Sequence, residues 1–148
     1  MQSTEVERLS GFCDTLEEAG VQIRPEQLVE KAFDSQVAFD HIADLLRAGR
    51  VEFTAVVCAD DLIAYGVISA VREHGLDVPR DISVVGYDDI PAARHIGLTT
   101  VRQPAFEMGR SAMLALEDLL SGGVASVRSP VLDPSLVIRS TCAQAAIS

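Results

Sequence analysis

Apolar positions along the chain follow two alternating rhythms. Val6, Leu9, Cys13 and Leu16 recur at spacings of three and four, with Glu5, Glu7, Asp14, Glu17 and Glu18 on other faces and Gly20 as a stop, which predicts an amphipathic helix. Leu28 to Phe33 reads as a short strand, and Asp34-Ser35 offers an N-cap for a helix running through Ile42 and Leu46 to Gly49. Thr54 to Ala59 is apolar and too short for a helix, as expected of a strand buried on both faces of a parallel sheet. Asp60 caps the next helix, apolar almost all round at Leu62, Ile63, Tyr65, Val67, Ile68 and Val71 and ended by Gly75.

The pattern then repeats. Asp81 to Tyr87 is a strand, a loop containing Pro91 follows, and Leu98 to Arg102 is a further strand. Pro104 suits a first helical turn, and Phe106, Gly109, Met113, Leu116 and Leu120 mark one face of a helix ending at Gly122-Gly123. Leu136 to Ile138 is the last strand. The alternation predicts an α/β fold, a mostly parallel open sheet with helices on both faces. The chain opens on a helix with no strand before it, as if an α/β unit were entered midway.

Composition narrows the classes. A chain of 148 residues with 48% apolar content has material for a core. Its 22 Asp and Glu against 12 Lys and Arg leave a net charge of −10, a field that repels a phosphate backbone and argues against a free-standing nucleic-acid binder. Cys13, Cys58 and Cys142 are odd in number and widely spaced, which suggests neither a disulfide framework nor a zinc site and fits a reducing cytoplasm. No window approaches a membrane span or a secretory signal, so no membrane partner is expected.

Chemistry is expected where the strands of an open α/β sheet end. Those ends carry Phe33-Asp34, Asp60-Asp61 and Tyr87-Asp88-Asp89. Carboxylates beside an aromatic ring suit a ligand that donates from hydroxyls and offers a flat face, such as a sugar or nucleoside. Asp60 serves equally as a plain helix cap, and Asp89 reads better as a solvated loop carboxylate. The rival reading is a magnesium-dependent phosphotransfer domain. Such a domain wants a lysine near the later strand ends, and the single lysine, Lys31, lies too early. His41, His74 and His95 read as surface residues rather than bases, and no dinucleotide or triphosphate fingerprint is present, so neither a cofactor nor catalysis is expected. Arg8 by itself reads as a helical arginine paired with Glu5 or Glu7.

Four blocks carry a family resemblance: Arg8-Leu9-Ser10-Gly11-Phe12, Val57 to Gly66, Glu73 to Ile90, and Leu98 to Pro104. In order and spacing they resemble the LacI/GalR family of transcriptional regulators, over nearly all of residues 3 to 141. The resemblance implies a periplasmic-binding-protein-like fold whose two lobes close on a small-molecule effector, a sugar or nucleobase. It further implies a homodimer whose operator DNA is touched only through an N-terminal helix-turn-helix that these residues do not include. Residues 1–98 and 131–141 would build the C-terminal subdomain, and the helix over 104–122 would cross to the N-terminal one. Effector contacts would fall on Arg8, Phe33, Asp60, Asp88 and Gln103, with Arg8 donating to ligand oxygens, Phe33 stacking, Asp88 accepting, and Gln103 lining the cleft. The family more often has Asn at the position of Asp60. A solute-binding protein serving a sugar transporter is the alternative on the same fold.

Overall fold

A computed structural model describes residues 3–29, 34–122 and 131–144. The elements, in chain order, are α1 (Ser3–Glu18), a 3-10 turn (Pro25–Gln27), α2 (Ser35–Arg47), β1 (Ala55–Val57), α3 (Asp61–Glu73), β2 (Ser83–Asp88), α4 (Pro91–Ile96), β3 (Thr99–Arg102), α5 (Ala105–Leu120) and β4 (Ser135–Val137). The sheet order is β1-β2-β3-β4. Strands β1, β2 and β3 run parallel, with Val57 opposite Val85 and Asp88 opposite Arg102, and β4 returns antiparallel to β3. The parallel strands therefore present their carboxyl ends along one edge of the sheet.

The helix signals are recovered with their mechanisms. Asp34 Oδ1 accepts from Val37 N at 2.8 Å and Asp60 Oδ1 from Ile63 N at 2.7 Å, each satisfying a backbone donor that a helix start leaves open. Helix α3, the most apolar in pattern, is the centre of the core: Ile63, Ala64, Val67, Ile68 and Val71 are buried against Ala38, Ile42 and Ala43 of α2 and against Val84 of β2. Close approach of α2 and α3 requires glycine at 66, where an added Cβ would stand 1.9 Å from the Ser35 carbonyl oxygen.

Some expectations are corrected. Leu28 and Val29 are not in a strand, and the rest of the expected strand, including Phe33, lies outside the described residues. Strand β1 is not buried on both faces: Ala55 and Val57, on one face, are exposed, Val57 by 53%, while Val56 on the other packs against the core. The segment around Pro91 is a short helix rather than a loop, because Pro91 at its start fixes a helical φ, Ala93 is buried, and Gly97 (φ 69°) ends it. Helix α5 forms where its periodicity predicts, yet none of its residues is buried; Phe106 and Leu120 are 78% and 77% exposed.

Past β4 the chain crosses back over the start of the sheet. Thr141, fully buried, donates its hydroxyl to Val84 O at 2.7 Å and accepts from Thr99 N at 2.9 Å. Arg139 N donates to Thr99 Oγ1 at 2.9 Å. These bonds fix the last described residues to β2 and β3.

Candidate effector site at the carboxyl edge of the sheet

Three strand ends and one helix meet at the carboxyl edge. Arg8 of α1 donates from Nη1 to the carbonyl of Ala59, directly before Asp60, at 3.0 Å, and its guanidinium lies 4.4 Å from the ring centroid of Tyr87 at the end of β2. The cation over a π face and the charge-assisted bond to a strand-end carbonyl together seat α1 on this edge. Arg8 is thus half-buried at the sheet rather than only a surface partner for neighbouring glutamates.

One residue on, the Asp88 carboxylate accepts from Gln103 Nε2 at 2.5 Å, joining the ends of β2 and β3. Both are half-buried. Beside them Tyr87, Gln103, Pro104, Met108, Leu132 and Pro134 line an open depression of about 210 Å³. Of the five residues expected at the site, the structure brings Asp88 and Gln103 into contact and places Arg8 against the residue that precedes Asp60. Phe33 lies outside the described residues. Tyr87 was not among the five; its position as the last aromatic before the Asp-Asp pair was the available signal.

The four aspartates at these ends divide into two pairs. Asp61 is buried: its Oδ1 accepts from Thr100 Oγ1 at 2.6 Å and its Oδ2 from Ile90 N at 2.8 Å. Burial raises its carboxyl above the ordinary range, the two hydrogen bonds oppose this, and the charges of Asp88 and Asp89 add to it. Asp89, expected as a solvated loop carboxylate, instead accepts from Arg139 Nη2 and Arg102 Nε, both at 2.6 Å, with only 8% of its side chain exposed. Burial alone would push this carboxyl up, but the bonds and charges of the two arginines outweigh it and hold the group below its usual range. Asp61 and Asp89 thus use both carboxylate oxygens within the protein, whereas among the described residues Asp60 and Asp88 use Oδ1, on Ile63 N and Gln103 Nε2, which leaves Oδ2 of each as an acceptor at the edge.

This division also bears on metal and nucleophile chemistry. Among the described residues no three His, Cys, Asp or Glu side chains converge on a point a metal ion could occupy. Cys58, at the end of β1, is buried, and burial with the charges of Asp60 and Asp61 pushes its thiol up to about 12, so it stays protonated at neutral pH. His74, directly after α3, turns its Nδ1 to the Ala70 carbonyl of that helix, and His41 is half-buried on α2 rather than at the surface.

The periplasmic binding protein-like domain matches residues 1–142. The chain belongs to that family, and the solved structures it resembles include LacI-family regulators. The ribose operon repressor of Haemophilus influenzae is 36% identical over 140 residues, which cover 93% of this chain and 42% of that protein. The transcriptional repressor PurR of Glaesserella parasuis is 36% identical over 148 residues, 95% of this chain and 43% of that one. Among solved structures, a LacI-family regulator from Lactobacillus casei with bound sucrose is 32% identical with a TM-score of 0.80, over 91% of this chain and 50% of that one. The chain thus spans less than half the length of the curated relatives it matches. The open sheet described above is the architecture this family shares. No described helix is long and apolar enough to cross a membrane.

Proposed function

We propose that this chain is the effector-sensing part of a LacI-type transcriptional regulator, reading a small hydroxylated or heterocyclic ligand at the carboxyl edge of its sheet. The observation that carries the reading is the Arg8 guanidinium at the strand ends, held over Tyr87 and on the Ala59 carbonyl, on the edge where Asp88 and Gln103 meet. Arg8 supplies donors to ligand oxygens, Asp60 and Asp88 accept from hydroxyls or a ring N–H, and Gln103 does either. Phe33 is assigned to the stacking face. The sucrose bound to one relative and the ribose operon named for another support a sugar as the ligand class, and the flat face expected of Phe33 leaves room for a nucleobase.

Residues 1–98 and 131–141 are assigned to one lobe, and α5 to the crossing into the other. Its apolar side, bare of contacts that bury it, supports that assignment. The protein works without covalent chemistry, in the cytoplasm and as a homodimer, by a ligand that binds one lobe arrangement better than the other. Operator DNA is met outside these residues, in keeping with their charge of −10. Calorimetric titration of the chain with D-ribose, sucrose and adenine tests the reading. Binding of one of them that Asp88→Ala abolishes is expected, and binding unaffected by Asp88→Ala contradicts it.

A further inference from the structure

The turn that delivers Asp88 is unusual in its backbone. Asp88 and Asp89 have φ of 104° and 55°, two successive non-glycine residues on the left-handed side, where a Cβ is disfavoured. Such a conformation persists only where its surroundings over-determine it. Here the Asp89 carboxylate is gripped at both oxygens, by Arg139 Nη2 and Arg102 Nε, and Ile90 N is tied to Asp61 Oδ2. The two arginines are not equivalent. Arg102 is 48% exposed, whereas Arg139 is 14% exposed and is itself anchored, Nη1 donating to Leu98 O at 2.7 Å and its backbone N to Thr99 Oγ1 at 2.9 Å.

We propose that Arg139, fifty residues beyond Asp89, is a positioning residue for effector binding: its fork between Leu98 O and Asp89 holds the turn that aims the Asp88 carboxylate. This rests on the reading of the carboxyl edge given above. The planar fork suits this role, because one guanidinium must bridge the Leu98 carbonyl, directly before β3, and a carboxylate at fixed angles. A lysine ammonium keeps the charge and loses one of the two directions.

The test uses the whole chain with Arg139→Gln and Arg139→Lys. The HN–Hα couplings and Cα and Cβ shifts of Asp88 and Asp89 report φ, while the amides of Ala55, Val56 and Val57 report the fold. Arg139→Gln is expected to move the Asp88 and Asp89 signals away from positive φ with β1 unchanged, and to weaken by ten-fold or more whichever of D-ribose, sucrose or adenine the parent chain binds. Arg139→Lys is expected to fall between the two, and it carries the comparison if the glutamine variant does not fold. A folded variant whose Asp88 and Asp89 keep positive φ overturns the proposal, as does unchanged affinity for a bound probe. If none of the three probes binds the parent chain, the reading of the edge fails while the φ measurement still decides the role of Arg139.

Discussion

The Arg8 guanidinium covers one face of Tyr87 at 4.4 Å and donates to the Ala59 carbonyl at 3.0 Å, so a residue near the start of the chain contributes to the edge formed by strands far downstream. A half-exposed cation over an aromatic ring contributes about 0.5–1 kcal/mol to stability. Arg8→Ala is therefore expected to lower the thermal midpoint only slightly while weakening ligand binding by ten-fold or more. Arg8→Lys is expected to recover little of the affinity, since an ammonium cannot present two parallel donors. Calorimetry on the three proteins checks both statements, and full affinity in the lysine variant would show that charge alone suffices.

Gly86 lies in β2 with Asp61 and Leu98 pressed against it. A Cβ there would stand 2.3 Å from Asp61 Oδ1 and 2.8 Å from a Leu98 methyl. Since Asp61 is held by Thr100 and Ile90, it has no free direction in which to yield. Gly86→Ala is expected to destabilise the fold by about 1–3 kcal/mol, the usual range for overpacking. Urea unfolding that shows less than about 0.5 kcal/mol of loss, the level of a neutral surface change, would mean the Asp61 cluster is looser than described.

The two committed aspartates respond oppositely to pH. Asp61 has a raised carboxyl, so its folded form binds the proton more tightly than the unfolded chain does, and its contribution is complete below about pH 4 and lost as pH rises through the folded value. Asp89, held low, contributes above about pH 4 and loses that contribution as pH falls through its own lower value. The stability of the parent chain minus that of Asp61→Asn is accordingly expected to decrease from pH 4 towards pH 8. Urea midpoints across that range check it, and a difference that grew with pH would reverse the assignment.

Helix α5 buries none of its residues, although Phe106, Met113, Leu116 and Leu120 form an apolar stripe. Phe106→Ala and Leu120→Ala are expected to change the stability of this chain by less than about 0.5 kcal/mol. Val71→Ala, at a fully buried position of α3, is expected to cost more than 1 kcal/mol, about the size of a buried large-to-small change. Comparable losses at both places would show that α5 packs on this lobe.

Much of this was readable from the chain. Caps at Asp34 and Asp60 and the periodicity of α3 and α5 are local signals, and they placed those elements within a few residues. The fate of each aspartate was not local. Asp60 and Asp61 are neighbours in sequence, yet one caps a helix at the edge and the other turns inward to Thr100 on β3, a distinction set by strand pairing. Asp89 looked solvated because its two arginine partners lie 13 and 50 residues away. Exposure at β1 depends on what packs over each face of the sheet, which apolar composition does not specify.

The central claim is that ligand is read at the carboxyl edge of β1, β2 and β3, and an amide shift titration of the isotopically labelled chain with D-ribose, sucrose and adenine tests it most directly. Shifts concentrated at Arg8, Asp60, Tyr87, Asp88 and Gln103, and lost in Asp88→Ala, are the expected result. No response to any of the three, or shifts confined to the opposite edge around Phe53 and Ile82, would contradict it.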